Sequence, residues 1–320
     1  MEPVNVVVTC TNQKTASADP SLRLGTICGD VVEERVAVWK QRCDRWSGPT
    51  VTARSLYAGD HWSVARGLEA LRPGRRPVQL WVISAGFGLL SLDMAIPAYS
   101  ATFTTGHPDT VVLQDAVKVG LCAVSCKRAW WNGLLQLDWG HRSPVSLVDL
   151  ATQFPRSPLI VAASTNYLQA ILDDLLAASE ELQSADQLAL VSGGTEELGT
   201  LSSQLVPCDA RLQPLVGGIL GSLNVRALRY YLETCTTKNI GCGHMTEVFN
   251  RLLAEAPDRI RYERLPLTDE ELRRFVQTAL RRGEQVTQTR LLRELRASGR
   301  ACEQTRFRTV FRDVKAAWHD

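Results

Sequence analysis

The stretch Val78-Gln79-Leu80-Trp81-Val82-Ile83 is apolar on both faces of an extended chain. A strand buried on both sides of a parallel sheet reads this way, because helices cover both faces of such a sheet. Three more short runs share its character: the β-branched Val4–Thr9, then Leu159–Ala163 (LIVAA) and Leu188–Val191 (LALV). Between them the apolar residues recur at helical spacing. Leu24–Trp46 puts Ile27, Val31, Val32, Val36 and Trp39 on one side. Ser63–Leu71, Val111–Leu135, Asn166–Leu182, Ser222–Cys235 and Met245–Ala256 follow the same rule, and a long turn is expected from Ser84 to about Pro108. Strands separated by helices of this length need crossover connections. The expected fold is therefore α/β, a mainly parallel open sheet flanked by helices.

The C-terminal part has a different character. From Arg273 to Asp320 there are 12 Lys+Arg and 5 Asp+Glu, and all but one of the basic residues are Arg. The remainder of the chain is mildly acidic. Thr268 with Glu271 three residues on forms a capping-box pattern that opens a helix over Leu272–Arg282, closed by Gly283. Thr287 or Thr289 opens Leu291–Ala297, Gly299 closes it, and Phe307–Trp318 is a last helix. Three short helices with glycine punctuation suggest a small basic module of helix-turn-helix type. The expected division is a nucleotide-binding α/β domain over residues 1–256 and a basic nucleic-acid-binding module over 257–320. Arg273, Arg274, Arg290, Arg293, Arg306, Arg308 and Arg312 are its candidate phosphate contacts, because guanidinium forks match phosphate oxygens. The plainer alternative is a solvated helical face.

With 320 residues, 45% hydrophobic and 22% charged, the chain has material for a large core. No run of 18 apolar residues occurs, so a membrane span is not expected. Met1 leads directly into a strand pattern, and the nine Cys follow no framework spacing. A cytoplasmic protein with free thiols is the expectation. Cys122 and Cys126 lie four apart in a helical pattern, but no second pair completes a metal site; neither metal nor cofactor is expected. Of the histidines, His61 and His107 lie near the long turn, while His141 and His244 sit beside glycines.

In open parallel sheets ligands bind beyond the carboxyl ends of the strands. The four exits read Cys10-Thr11-Asn12-Gln13-Lys14, Ser84-Ala85-Gly86-Phe87-Gly88, Ser164-Thr165-Asn166-Tyr167 and Ser192-Gly193-Gly194-Thr195. Small hydroxyl, amide and glycine residues offer donors at close approach, which suits phosphate or sugar oxygens. The same composition also serves ordinary helix caps. The segment Ser84–Phe103 is unusual for a loop, since Phe87, Leu89, Leu90, Leu92, Ile96, Tyr99 and Phe103 force it to pack down. Its one carboxylate is Asp93. Buried among apolar neighbours, Asp93 would be a candidate acid or base; capping a turn or pairing with an Arg are the alternatives. The Trp130-Trp131 pair is open to two readings, core packing or stacking on bases.

Ala53-x-Ser55-Leu56-Tyr57-x-Gly59, followed by Ser84-Ala85-x-x-Gly88-Leu89-Leu90-x-x-Asp93-x-x-Ile96-Pro97-x-Tyr99, resembles a bacterial domain family of uncertain function. That family carries an A-x-x-LY-x-G approach and an SAKYGLL-x-x-D-x-x-I-x-PYD loop. The first strand with Cys10 and Lys14 fits its start, and the resemblance spans residues 1 to about 105. The loop is also similar, more distantly, to that of DNA-binding peroxide-stress proteins. The chain departs from the pattern at Gly86, where Lys is usual, at Phe87, and at Ser100, where Asp is usual. More loosely, the whole chain resembles anti-phage DNA glycosylases related to tRNA-guanine transglycosylase-like enzymes, which remove glucosylated hydroxymethylcytosine from phage DNA.

The resemblance implies a glycosylase of modified phage DNA in antiviral defence, with the nucleotide flipped into the crevice. Asp93 would be catalytic, with Asp109, Asp173 and Asp209 as the other carboxylates that could take its place. Cys10, Thr11, Asn12, Lys14, Tyr57, Ser84, Gly86, Phe87, Gly88, Tyr99, Ser164, Asn166, Gly193, Gly194 and Thr195 would bind the substrate, with Tyr57, Phe87 or Tyr99 stacking on the base. A non-catalytic DNA-binding sensor with the same crevice is the alternative. Transfer to a free nucleotide is a third reading, weakened by the lack of a Walker A motif.

Overall fold

The computed structural model describes residues 2–113, 122–140, 144–194, 198–257, 264–281 and 286–319. They fall in two compact units, Met1–Pro257 and Asp258–Asp320. The first is a mixed α/β unit around a six-stranded sheet. Its strands are β1 (Val4–Thr9), β2 (Val78–Ser84), β3 (Gly88–Ser91), β4 (Leu159–Ala162), β5 (Leu188–Ser192) and β6 (Leu205–Pro207). They lie in the order β3-β2-β1-β4-β5-β6. Only β3 is antiparallel, folding back on β2 as a hairpin. The β-branched and aliphatic side chains of β1 are buried on both faces, as a sheet covered on both sides requires. Of its two buried polar residues, Asn5 accepts from the Trp81 indole at 3.2 Å, which meets the need of both groups.

β1 is central. The chain leaves it for β2 on one side and returns from the β3 hairpin to β4 on the other. That reversal makes the β1–β4 boundary a topological switch point, where the connections diverge and leave room beyond the strand ends.

Several elements differ from the sequence pattern for physical reasons. Helix is confined to Val32–Asp44 within the stretch read as Leu24–Trp46, because Gly25 and Gly29 break the first part into a 3-10 turn and extended chain. The helix expected over Ser63–Leu71 starts earlier, at Asp60–Ala65, and stops before Gly67. The long turn after β2 contains β3 and the two residues Ala95–Ile96, which pair with Val51–Thr52 from earlier in the chain. Val111–Leu113 are not helical; the helix runs over Ala123–Leu135, and 114–121 lie outside the described residues. Thr165–Ala170 and Leu172–Glu181 are two helices that bend at Ile171. The short strand β6 and the helix Leu147–Gln153 carry too little periodicity to be read from sequence.

The second unit has three helices, Asp269–Arg281, Gln288–Ala297 and Gln304–His319, and one two-residue parallel pairing, Leu265–Pro266 with Arg300–Ala301. Leu272, Val276, Leu291, Leu295, Phe307 and Phe311 form its own core. The Thr268–Glu271 capping box forms reciprocally, at 2.8 and 3.2 Å. Among the described residues, no helix is long and apolar enough to cross a membrane.

Trp39, from the Val32–Asp44 helix, is wholly buried in the first unit and meets Phe87, Tyr99 and Trp130 edge-on. Its indole donates to the Gly86 carbonyl at 2.7 Å. Trp39→Phe removes that donor and part of the ring, so it is expected to lower stability by about 1–3 kcal/mol. Trp46→Phe, at a half-buried position, is the control and is expected to cost under ~0.5 kcal/mol. Urea midpoints of the full chain check both.

Candidate functional site

The β2 exit is held from below. Besides the Trp39 bond to Gly86, the Trp130 indole donates to the Ala85 carbonyl at 2.7 Å. The Ser84 hydroxyl accepts from the backbone N–H groups of Gly86 and Phe87, at 3.2 and 3.1 Å. On its other side it lies 2.7 Å from the Tyr99 hydroxyl, which lies 2.9 Å from that of Tyr57. Three hydroxyls thus form a chain along the strand ends. Gly86 is required by packing: a β-carbon there would stand 2.7 Å from the Tyr99 ring. Across the switch point the Cys10 thiol lies 3.2 Å from the Tyr167 hydroxyl. Burial pushes the pKa values of Tyr57, Tyr99 and Tyr167 up, so all three stay protonated donors.

Lys14 closes the cluster towards solvent. It is half-buried, with Nζ 4.3 Å from the Tyr99 ring centre and 5.7 Å from that of Tyr57. The Nζ donates to the Thr11 carbonyl at 3.1 Å. Burial lowers its pKa, opposed by the nearby Cys10 and Asp109.

Asp109 is buried and tightly held. It accepts from the Gly25 backbone N–H at 2.9 Å and from the Ser100 hydroxyl at 2.7 Å. The segment that carries it is strapped down by the buried Arg35 guanidinium, which donates to the Val111 and Thr110 carbonyls at 3.0 and 3.1 Å. A cleft of about 740 Å³ borders this segment, lined by Gly25, Cys28, Arg35, His107, Pro108 and Thr110 among others. That volume suits a small ligand.

Asp93 does not occupy such a place. Its side chain is 83% exposed and its carboxylate lies 3.4 Å from Arg54, on the turn after β3. The apolar residues around it in sequence pack inward and leave the turn tip outside, so burial does not make it an acid or base. Asp109 is the buried carboxylate whose charge acts on Lys14, and Tyr167 is the aromatic that meets Cys10. Asp109 was one of three carboxylates, with Asp173 and Asp209, that the sequence left as replacements for Asp93; Tyr167 was marked only by its place at a strand exit.

The other expected residues divide in two. Cys10, Tyr57, Ser84, Gly86, Phe87, Gly88 and Tyr99 are buried and packed on one another; Phe87 meets Tyr99 edge-on at 5.0 Å. Tyr57, Phe87 and Tyr99 therefore present no open face for a base to stack on. Trp130 and Trp131 are likewise core, with the Trp131 indole bound to Asp174 at 3.1 Å. Thr11, Asn12, Ser164, Asn166, Gly193 and Gly194 keep some exposure and line the strand ends. A β-carbon at Gly194 would collide with the Thr165 hydroxyl, so the exits of β4 and β5 touch. Asn166 accepts from Lys127 at 2.5 Å. Thr195 lies outside the described residues, as do Arg282, Gly283 and His141. His107 and His244 make ordinary hydrogen bonds to Asp109 N–H and Tyr231. Cys122 is exposed at a helix start and Cys126 is buried.

In the second unit Arg274, Arg290, Arg306 and Arg312 face Glu270, Glu294, Asp269 and Asp313. Among the described residues Arg273, Arg293 and Arg308 are exposed and carry no ion pair. Arg293 lines a groove of about 640 Å³ with Arg264, Arg296, Gln288, Thr289 and Gln304. No protein-family model matches the chain, and no curated protein matches it.

His61 sits behind β1, hydrogen-bonded to the Thr9 backbone, with Nε2 shielded and without a partner among the described residues. Burial pushes its pKa down to about 4. Between pH 4 and the ordinary value near 6.5, the unfolded chain takes up a proton that the folded chain refuses. The stabilisation is therefore complete above about pH 6.5 and is lost as the pH falls towards 4. Lowering the pH from 7.5 to 5 is expected to cost about 2 kcal/mol through this group. Urea unfolding at both pH values, in wild type and His61→Gln, checks it: the drop shrinks by that amount in the variant.

Proposed function

We propose that this chain is a DNA glycosylase that hydrolyses the N-glycosidic bond of a modified base in duplex DNA. The resemblance of its β2 loop and chain pattern points to glucosylated hydroxymethylcytosine in phage DNA, and so to antiviral defence in the cytoplasm. The observation that carries the reading is the seat of Lys14 over the Tyr99 ring, beside the Ser84–Tyr99–Tyr57 hydroxyl chain at the parallel strand ends, with the buried Asp109 near enough for its charge to act on the amine. Breaking an N-glycosidic bond builds positive charge on the sugar and negative charge on the departing base. A held carboxylate suits the first and a shielded ammonium the second. Asp109 takes the role that Asp93 is too exposed to fill. Thr11, Asn12, Ser164, Asn166, Gly193 and Gly194 offer donors to the sugar oxygens of a flipped nucleotide. The arginines of the second unit, read as a helix-turn-helix-like module, contact phosphate. The scheme uses neither metal nor cofactor.

One observation favours the non-catalytic alternative: the inner tyrosines are closed on one another, which suits a rigid binding surface. Incubating the protein with unmodified, hydroxymethylated and glucosylated duplexes separates the two. Release of the glucosylated base, with strand breaks only after alkali, is expected. Retarded but chemically unchanged DNA would identify a binder. Asp109→Asn is expected to reduce excision by roughly 10²–10³-fold, with melting temperature followed alongside, and Asp93→Asn to leave it within twofold.

Arg293→Ala with Arg308→Ala is expected to weaken binding to all duplexes alike. It should also flatten the slope of log K against log salt by about 0.9 for each phosphate that is no longer neutralised. Titrations at several salt concentrations check this.

A further inference from the structure

The chain has six lysines, five of them among the described residues. Lys40 is paired with Asp44 at 2.5 Å. Lys127 is held by the Asn166 and Gln169 side-chain oxygens, at 2.5 and 3.3 Å. Lys238 and Lys315 are exposed. Lys14 is set differently from all four. Its amine stands over the Tyr99 ring at the strand ends, with no ion pair among the described residues and one hydrogen bond, to the Thr11 carbonyl. Aromatic walls shield it from water on one side, and its partial exposure leaves the other open. A desolvated amine beside hydroxyl donors is how proteins obtain a lysine nucleophile for carbonyl carbons.

We infer that Lys14 is the amine nucleophile of an abasic-site lyase activity seated at these strand ends. The inference rests on the reading of the chain as a DNA-acting enzyme, and its substrate is the ring-opened deoxyribose aldehyde left when a base is removed. The Nζ lone pair adds to C1′, forming a C–N bond as the C=O π pair moves to oxygen, and that oxygen takes a proton from water on the open side of Lys14. The carbinolamine hydroxyl then leaves as water, giving a protonated imine. Loss of a C2′ proton to water moves that electron pair into a C1′–C2′ enamine bond. The enamine expels the 3′ phosphate by breaking C3′–O, and hydrolysis of the resulting imine returns the amine. Burial of Lys14 favours the first step, since it lowers the pKa and leaves more amine unprotonated at neutral pH.

The test uses the full chain with a duplex carrying one preformed abasic site, in the presence of sodium borohydride. Hydride adds to the imine carbon and fixes the adduct as a secondary amine. The expected result is a covalent protein–DNA species on a denaturing gel, with the remnant mapped by mass spectrometry to the tryptic peptide containing Lys14. Lys14→Arg is expected to reduce the adduct at least tenfold, while Lys238→Ala leaves it unchanged. Mapping on the wild-type protein decides the matter even where Lys14→Arg does not fold. Absence of an adduct, or an adduct on another amine, overturns the assignment. Because the abasic site is supplied, base removal is bypassed. An adduct at Lys14 without excision of any base would sink the glycosylase reading and leave the lyase standing.

Discussion

Two indole N–H groups hold the part of the molecule on which the candidate site depends. Trp130 and Trp39 reach from neighbouring helices to the Ala85 and Gly86 carbonyls, just past the end of β2. Buried carbonyls at a strand exit need donors, and leaving one unmet costs about 1–3 kcal/mol. With both met by rigid rings, the Ser84 hydroxyl is fixed where it caps two backbone N–H groups and meets Tyr99. Tyr99 then becomes the floor on which Lys14 rests. Polar order at the strand ends is thus built on an apolar foundation.

A second anchor acts from the side. The Arg35 guanidinium donates to two backbone carbonyls of the Thr110–Val111 segment, and Asp109, next along the chain, is fixed by Gly25 and Ser100. A carboxylate held by two donors costs little to reorganise when charge develops near it. In the family that the β2 loop resembles, a carboxylate is usual at position 100. Here Ser100 stands there and donates to Asp109, which brings a buried carboxylate beside that position from nine residues further along.

Much of this architecture was legible from the amino-acid order, for particular reasons. β1, β2, β4 and β5 declared themselves because burial on both faces leaves an unbroken apolar run. β6 did not, since Leu205–Pro207 is only three residues long and ends in proline. Of the residues singled out at the strand exits and in the β2 loop, Cys10, Lys14, Tyr57, Ser84 and Tyr99 do come together at one end of the sheet. Sequence neighbours suggested a buried Asp93, but apolar neighbours in sequence say nothing about which way a turn tip faces. Asp93 points to Arg54 and water, while Asp109, in an unremarkable His-Pro-Asp run, lies inside. Contacts across 84 residues, such as Gly25 with Asp109, leave no local signature.

The bare backbone at position 86 carries a wider consequence. The Tyr99 ring occupies the space into which any side chain at 86 would grow. With the ring in this pose, any side chain at 86 would have to displace Tyr99, and with it the hydroxyl contacts to Ser84 and Tyr57. A change at 86 is therefore felt at residues it never touches, because the ring that must move carries the row of hydroxyls and the surface beneath Lys14.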